Sequence, residues 1–374
     1  MEQTSIFDFL PDGDKYKPIK STDWKWSFKD YPQEKNGLNV FSCFACGGGS
    51  TMGYKLAGCD VIGCCEIDPR MNEVYIKNHN PKHNFCMDIR KFNEIPNEQL
   101  PEELLHLDIL DGSPPCTTFS MSGLREESWG KEKKFREGQA EQTLDDLSFI
   151  FIDSVAKLRP RVVIMENVEG LLKGEAWSYV QQIYAHFHSI GYQVKHWLVM
   201  GEHMGVPRTR HRAVFVALRE DIDYDLMSLD MSFNYEPVLF GEIRSEHGTK
   251  IKGETLNWLC ENFQYGDDAL DGACIRLKGK GSFFNNRYIY DDRVAPTLPA
   301  KCVNIRVCDK KYMSCQDIIN CSTFPQDYDF ITNSVSNVHY ICGMSVPPLM
   351  IKRIVTRLIE SGVFETKKNK EKKI

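Results

Sequence analysis

Strands and helices alternate along the first 220 residues, and no other feature of the sequence constrains the fold as strongly. Runs of apolar and β-branched residues that are typical of strands recur there, and most are followed by a stretch with helical periodicity. The runs lie at 38–43, 60–65, 107–110, 161–165, 194–199 and 213–218, with helices expected near 51–57, from Pro69 onward, and over 144–158 and 176–189. This alternation predicts an α/β fold with a doubly wound, mostly parallel sheet and helices on both faces.

The alternation stops near residue 220, which indicates a second domain. From 221 to about 333 the sequence is irregular and rich in glycine, asparagine, aspartate and aromatic residues, so it predicts loops and short strands. Helical periodicity returns at 348–361. We therefore expect an N-terminal extension over 1–36, a larger domain built from 37–220 plus 334–374, and a smaller, irregular domain over 221–333.

Composition favours a soluble protein of the cytoplasm with reduced thiols. Hydrophobic residues make up 42% of the chain and charged residues 26%, which is typical of globular proteins. No apolar run approaches the roughly 20 residues that cross a bilayer, and the first residues lack the pattern of an export signal. The 14 cysteines are not spaced like zinc ligands, so no metal site is predicted.

The distribution of charge leaves room for a nucleic-acid partner, although the formal net charge is −6. Arginines alternate in the segment 206–212, and the stretch 272–290 contains cations and aromatic residues but no acid. A basic face on an acidic body can bind phosphate, although a solvated hairpin is the alternative for the second stretch. The candidate cations for DNA are Arg208, Arg210, Arg212, Arg276, Lys278, Lys280 and Arg287.

Conspicuous residues stand at the carboxyl ends of four predicted strands. They are the glycine turn 47–49, Glu66, the Pro115–Cys116 pair and the Glu166–Asn167 pair. Ligands of doubly wound sheets bind beyond the carboxyl ends of the strands. Four such placements in one sheet predict a composite active site.

The first of these segments, FACGGGSTMG at 44–53, favours a nucleoside-containing cofactor. Glycines allow a ligand to approach the backbone closely, and the following helix N-terminus offers free N–H groups. The G-x-G-x-x-G fingerprint of dinucleotide-binding proteins is absent, since Met52 stands where its last glycine would fall. A purely structural turn is the alternative, but Glu66 at the end of the next strand can accept hydrogen bonds from both ribose hydroxyls.

Cys116 and Glu166 are candidate catalytic residues. Two prolines stiffen the backbone directly before Cys116, which suits a nucleophile held in place, whereas most free cysteines are small buried apolar groups. Glu166 directly follows four apolar residues, so its carboxyl group is expected to be partly desolvated and suited to donating a proton or hydrogen bond. A simple helix-capping acid is the alternative.

Together these segments resemble the DNA (cytosine-5)-methyltransferase family, of the bacterial or phage type. The resemblance covers most of residues 38–360, and its motifs occur in the order expected for the family. The matching pieces are FACGGGSTMG, EID at 66–68, GSPPCTTFS at 112–120, MENVEGLL at 165–172, VPRTRHR at 206–212, RVAPTL at 293–298 and GMSVPP at 343–348.

The resemblance implies methylation of carbon 5 of a cytosine flipped out of double-stranded DNA. Cys116 would add to carbon 6 of the base, Glu166 would hold and protonate ring nitrogen 3, and Arg210 would contact the base. The methyl donor would be S-adenosylmethionine in a Rossmann-like catalytic domain, and residues 221–333 would be the target-recognition domain. The implied cofactor-binding residues are Phe44, Gly47, Gly48, Gly49, Glu66, Ile67, Asp88, Ile89 and Pro115.

Three residues depart from the pattern of the family. Cys46 replaces the first glycine of F-x-G-x-G, so we expect a different local conformation in the turn. Arg208 replaces the glutamine of Q-x-R-x-R and could add a phosphate contact, and Met344 replaces the asparagine of G-N-(A/S)-V-P-P. None of the three removes a group that the chemistry needs.

Three alternatives stay open at this point. A tRNA methyltransferase of the same fold is the nearest, although the branch with that activity has a Cys-Phe-Thr segment that is absent from 220–333. A nicotinamide-dependent oxidoreductase would need the missing glycine fingerprint and would leave Pro115–Cys116 without a purpose. A catalytically inactive DNA-binding protein would not need Cys116, Glu166 and Arg210 together.

The N-terminal segment lies outside the resemblance. Residues Gln3–Phe7 are similar to the short peptides that dock on bacterial sliding clamps, with a leading glutamine and an aliphatic residue beside phenylalanine. Such a tail would bind weakly because it must become ordered on binding. The alternative is that Ile6, Phe7 and Phe9 pack on the larger domain.

Overall fold

A mixed sheet of seven strands forms the centre of the molecule in the computed structural model, which describes residues 18–115, 146–281, 286–298 and 302–365. The strands are β1 (Asn39–Cys43), β2 (Asp60–Cys65), β3 (His83–Phe85), β4 (Ile109–Gly112), β5 (Val162–Val168), β6 (Tyr192–Met200) and β7 (His211–Arg219). Their spatial order is β3-β2-β1-β4-β5-β7-β6, and β7 is antiparallel to both of its neighbours, β5 and β6. The prediction of a doubly wound, mostly parallel sheet is confirmed.

Helices cover both faces of this sheet, because successive strand residues point to opposite sides. Val40, Ile109 and Val162 belong to one buried cluster, and the residues that follow each of them belong to another. The helices are α1 (Gly49–Leu56), α2 (Pro69–His79), α3 (Ile89–Glu94), α4 (Leu147–Leu158), α5 (Trp177–Ser189), α6 (Phe240–Ile243), α7 (Glu254–Glu261), α8 (Asp271–Lys278), α9 (Cys315–Cys321), α10 (Val335–Met344) and α11 (Pro348–Glu360). The first cluster packs under α1 and α11, and the second packs under α3, α4 and α5.

The region after residue 220 contains more helix than the sequence predicts. It forms a second sheet of three short strands, β8 (Arg287–Ile289), β9 (Asn304–Arg306) and β10 (Lys311–Tyr312). Short strands were predicted for this region. However, α7, α8 and α9 lie where loops were expected. The periodicity of α8 is concealed because its buried side chains are only Ala273 and Cys274, while Ile275 and Leu277 are exposed.

Residues 18–31 pack against the rest of the fold. The indole N–H of Trp26 donates to the carbonyl oxygen of Thr323 at 2.8 Å, and the backbone N–H of Ile19 donates to the carbonyl oxygen of Asn234 at 2.8 Å. Part of the predicted extension over 1–36 therefore packs on the fold. Within the described ranges, no helix is long and apolar enough to cross a membrane.

Candidate active site

Four strands of the large sheet end side by side and bring the candidate residues to one edge. Cys43 pairs with Cys65 on one side and with Gly112 on the other, and Gly112 pairs with Met165. The turns that follow these residues therefore leave the sheet in one row. They carry the glycine turn 47–49, Glu66 and the segment 113–115, and Glu166 follows Met165 within β5.

Two of the three glycines after β1 make room for the chain's own C-terminal elements, and the third lies against α2. A Cβ atom on Gly47 would lie 2.6 Å from Cγ2 of Ile341, and one on Gly49 would lie 2.1 Å from the carbonyl oxygen of Val346. Gly48 has φ +81°, and a Cβ there would lie 2.0 Å from Nε2 of His79. The GMSVPP segment thus packs directly on the glycine turn, so two motifs that are distant in sequence are in contact.

Two residues of this turn other than glycine adopt left-handed backbone conformations. Phe44 has φ +56° and Cys46 has φ +47°. Such a conformation costs a residue with a Cβ roughly 1–2 kcal/mol. Cys46, which replaces a glycine of the family motif, therefore occupies a position at which glycine would be unstrained.

Glu66 is buried and anchors the glycine turn. Its two carboxylate oxygens accept hydrogen bonds from the backbone N–H groups of Cys46 at 2.7 Å and Asp68 at 2.8 Å. Burial raises the pKa of Glu66, and these N–H groups oppose that rise. Each oxygen keeps a second lone pair, so the carboxylate can still accept hydrogen bonds from a diol.

Some of the other residues expected to bind the cofactor are buried or cap a helix, and others expose side-chain surface. Asp88 caps α3 by accepting the backbone N–H of Arg90 at 2.8 Å, and the side chain of Ile89 is buried in the core. Ile67 and Pro115 are half-buried. The accessible side-chain surface at this edge therefore comes from Phe44, Ile67 and Pro115 rather than from Ile89.

Asn167 connects β5 to the segment that precedes Cys116. Its Nδ2 donates to the carbonyl oxygen of Pro114 at 3.4 Å, and its Oδ1 accepts the N–H of Val168 at 2.8 Å. Cys116 itself lies outside the described residues. The side chain of Asn167 thus joins β5 to the segment after β4. The sequence singled out Asn167 but did not predict this contact.

Glu166 lies within β5 rather than at its end. The strand continues to Val168 because Glu166, Asn167 and Val168 pair with β7. The side chain is 8% exposed, and its Oε1 lies 2.5 Å from Nε of Arg212. This contact is an ion pair rather than a hydrogen bond, since Oε1 has no hydrogen-bond partner among the described residues.

The three alternating arginines have different environments. Arg210 is 3% exposed, and its Nη1 donates to the carbonyl oxygen of Gly343 at 3.2 Å. Burial, together with the charges of Arg212 and Arg208, lowers the pKa of Arg210. The base contact expected of Arg210 stays a prediction, and Arg212 is the arginine that lies beside Glu166.

Arg208 is fully buried, which contradicts the phosphate contact expected for it. Its exposed fraction is 0%, and its Nη2 donates to the carbonyl oxygen of Cys342 at 3.3 Å. Its Nε and Nη1 have no hydrogen-bond partner among the residues that the structure describes. The guanidinium group is therefore part of the interior and does not face solvent.

Comparison with known proteins identifies the family. A family model for C-5 cytosine-specific DNA methylases matches residues 38–272, which is more than half of the 374 residues. The chain belongs to the C-5 cytosine-specific DNA methylase family. The expected resemblance is thereby confirmed.

Individual relatives support the same assignment at low identity. The type II methyltransferase M.NgoPII of Neisseria gonorrhoeae is 28% identical over 196 residues, which cover 51% of each chain. M.AplI of Arthrospira platensis is 24% identical over 327 residues, or 85% of this chain and 84% of that one. The chain spans about half the length of the first curated relatives that it matches.

A solved structure shows the same fold. A Dnmt2 of Spodoptera frugiperda has a TM-score of 0.61 at 14% sequence identity, and the match covers 86% of this chain and all of that one. The Rossmann-like arrangement of the C-5 methylases is therefore shared with this chain.

Asp111 is a buried acid near this edge of the sheet that sequence reasoning missed. It lies in β4, is 2% exposed, and accepts hydrogen bonds from Oγ of Ser42 at 2.7 Å and from the hydroxyl of Tyr54 at 3.0 Å. Burial, with a contribution from the charge of Glu166, raises the pKa of Asp111 to about 7. The only sequence signal was an acid inside an apolar strand.

We expect Asp111→Asn to stabilise the chain above neutral pH. An ordinary carboxyl group has a pKa of 3.8, so between that pH and about 7 the folded chain binds more protons than the unfolded chain. Ionising buried Asp111 then costs folding free energy as the pH rises, by about 4 kcal/mol at pH 8. Urea unfolding should show the variant more stable than wild type at pH 8 and equally stable near pH 4.

The matched control is Asp60→Asn, which removes an exposed carboxylate at the start of β2. It should not show this dependence on pH. A stability difference between Asp111→Asn and wild type that is the same at pH 4 and pH 8 would contradict the assignment.

The cations expected to bind DNA in the smaller region are mostly engaged within the chain. Arg276 forms an ion pair with Asp267 and donates to the carbonyl oxygen of Asn262 at 2.9 Å. The Nζ of Lys278 lies 4.2 Å from the ring centre of Trp258. Lys280 is exposed and Arg287 is half-buried at the start of β8.

Proposed function

We propose that the chain transfers a methyl group from S-adenosylmethionine to carbon 5 of a cytosine in double-stranded DNA, through a covalent adduct with Cys116. The observation that carries this proposal is the shared sheet edge, together with membership of the C-5 methylase family. One edge presents an acid suited to a ribose, the segment leading to the nucleophile, and a carboxyl group paired with an arginine.

The residues at the glycine turn fit S-adenosylmethionine. Glu66 is a buried carboxylate with unused lone pairs at the end of β2, as a ribose diol requires. The half-buried Phe44 offers an aromatic surface beside it. When bound, the donor supplies an electrophilic methyl group on a sulfonium ion, which the turn would hold toward the Glu166 edge.

Cytosine carbon 5 is too weak a nucleophile to take a methyl group without activation. The Cys116 thiolate adds to carbon 6, the electron pair of the carbon 5–carbon 6 double bond shifts to the carbon 4–carbon 5 bond, and the pair of the carbon 4–nitrogen 3 double bond moves onto nitrogen 3. Glu166 donates a proton to ring nitrogen 3 as negative charge develops there. Carbon 5 takes up the methyl group, and the donor leaves as the neutral thioether S-adenosylhomocysteine. Loss of the carbon 5 proton to solvent expels the Cys116 thiolate, and return of the nitrogen 3 proton to Glu166 restores the aromatic ring.

We assign the base-side cation to Arg212 rather than to Arg210. Its Nε lies 2.5 Å from Oε1 of Glu166, and its side chain is 15% exposed, so it reaches the surface from which a base would enter. A base stacked in a duplex cannot expose both ring faces, so the target cytosine must be flipped out of the helix.

Residues 37–220 plus 334–374 would act as the catalytic domain, and residues 221–333 would recognise the target sequence. The docking of Gln3–Phe7 on a sliding clamp also stays a prediction, since these residues lie outside the described ranges. Titration of a peptide of residues 1–12 against a purified clamp tests it, and a lack of competition with a known clamp ligand would contradict it.

A labelled-methyl assay tests the proposed function. The chain is incubated with S-adenosylmethionine labelled in its methyl group and with either duplex DNA or tRNA. We expect label in DNA and none in tRNA. Label in tRNA alone would favour the RNA methyltransferase, and label in neither would contradict the proposal.

A further inference from the structure

A polar cavity lies where the VPRTRHR segment meets the smaller region. Its volume is about 320 Å³, and its lining includes Thr209, Asp268, Arg287 and Arg293. The two regions are joined here, since the N–H of Thr209 donates to the carbonyl oxygen of Ala295 at 2.8 Å. The mechanism above uses none of these residues.

The cavity lies close to the candidate active site along the chain. Thr209 precedes Arg212 by three residues, so their Cα atoms are at most about 11 Å apart. Arg212 in turn contacts Glu166. A nucleotide whose base reaches Glu166 therefore has its neighbouring backbone within reach of the cavity.

Arg293 is held in a conformation suited to binding an anion. The carbon of its guanidinium group lies 4.2 Å from the ring centre of Tyr290, and its Nη1 lies 2.9 Å from Oδ1 of Asp268. A planar guanidinium group on an aromatic ring presents its N–H fork to one side, as bidentate phosphate binding requires. The side chain of Asp268 is 74% exposed, so its ion pair with Arg293 is weak, and another anion can replace the carboxylate.

The aromatic wall of the cavity does not offer hydroxyl groups to a base. The hydroxyl of Tyr288 donates to the carbonyl oxygen of Leu259 at 2.9 Å, and that of Tyr290 donates to the carbonyl oxygen of Asp267 at 2.7 Å. Both groups thus hydrogen-bond inside the fold. The polar character of the cavity comes mainly from its arginines, which favours recognition of charge over recognition of base edges.

We propose that this cavity holds a backbone phosphate of the DNA strand that carries the target cytosine, and that Arg293 exchanges Asp268 for this phosphate when DNA binds. The inference rests on the proposed function and extends it to a contact residue outside the alternating arginines. Asp268 pairs with the guanidinium group of Arg293 in the free protein, so it competes with the phosphate for that group and weakens DNA binding.

The experiment measures binding of two duplexes of unrelated sequence by fluorescence anisotropy over a range of salt concentrations. We expect Arg293→Gln to weaken binding of both duplexes about tenfold at low salt and to flatten the slope of log K against log salt by about 0.9. Asp268→Asn should tighten binding roughly two- to fivefold, because it removes the competing carboxylate.

The matched controls use an Arg–Asp ion pair at the opposite edge of the sheet. Nε of Arg219, at the end of β7, lies 2.6 Å from Oδ1 of Asp221. Arg219→Gln and Asp221→Asn change the net charge as the two test variants do, and we expect neither to alter the salt slope.

An unchanged slope for Arg293→Gln, or unchanged or weaker binding for Asp268→Asn, overturns the inference. So does a loss confined to one duplex, which would indicate base recognition. Methyl transfer by the wild-type chain is measured on the same preparation. If the wild-type chain transfers methyl groups but Arg293→Gln leaves the salt slope unchanged, only this inference is wrong. If the wild-type chain binds DNA but transfers no methyl group, the proposed function is wrong.

Discussion

Cys116→Ser is expected to reduce methyl transfer to the background of the assay while S-adenosylmethionine binds as it does to wild type. A serine hydroxyl is far less ionised than a thiol at neutral pH, so it does not add to carbon 6 of the base. Cys116 follows Pro115, and Asn167 holds the preceding residue Pro114 from the neighbouring strand. Turnover would be measured with labelled donor, and donor binding by calorimetry.

The control for this substitution is Cys308→Ser, which changes an exposed free thiol in the smaller region. It should leave turnover unchanged. Substantial turnover by Cys116→Ser would show that the reaction does not pass through a thiol adduct.

Glu166→Gln is expected to lower kcat about 10²- to 10⁴-fold with little change in DNA affinity, because a proton donor to the base is lost. Oε1 of Glu166 lies in an ion pair with Arg212 and makes no hydrogen bond to the described residues, so the carboxyl group keeps its hydrogen-bonding capacity for a base. Single-turnover kinetics and DNA binding, measured on the same preparation, separate the two effects. Full activity of the variant would remove Glu166 from the mechanism.

Two further variants sharpen this test. Glu169→Gln changes a nearby acid, which forms an ion pair with Lys173. This variant should be nearly as active as wild type. Arg212→Gln should also lower turnover, and its effect should not add to that of Glu166→Gln, since the two side chains are in contact. Additive losses would indicate that the two residues act independently.

The sheet was predictable because its strands are apolar runs that end in conspicuous residues. The second strand was predicted at 60–65 and is observed at Asp60–Cys65. The position of Glu166 inside β5 was not predictable, because its pairing with β7 joins residues that are distant in sequence. The helix α8 was missed because its buried side chains, Ala273 and Cys274, are small and conceal its periodicity.

The directions of the arginine side chains could not be predicted from their alternation. Three residues at alternate positions share one face only if they lie in one strand. However, β7 begins at His211, so Arg212 is in the strand while Arg208 and Arg210 precede it and turn into the interior. The role of Asp111 was hidden for a similar reason, since its partners Ser42 and Tyr54 lie in other elements.

Release of the hydrogen at carbon 5 tests the central claim most directly. Duplex DNA with tritium at carbon 5 of its cytosines is incubated with the chain and S-adenosylmethionine carrying a labelled methyl group. The account predicts one tritium released to water for each methyl group transferred, with both signals absent from Cys116→Ser. Methyl groups incorporated into DNA while the tritium stays on the base would contradict it.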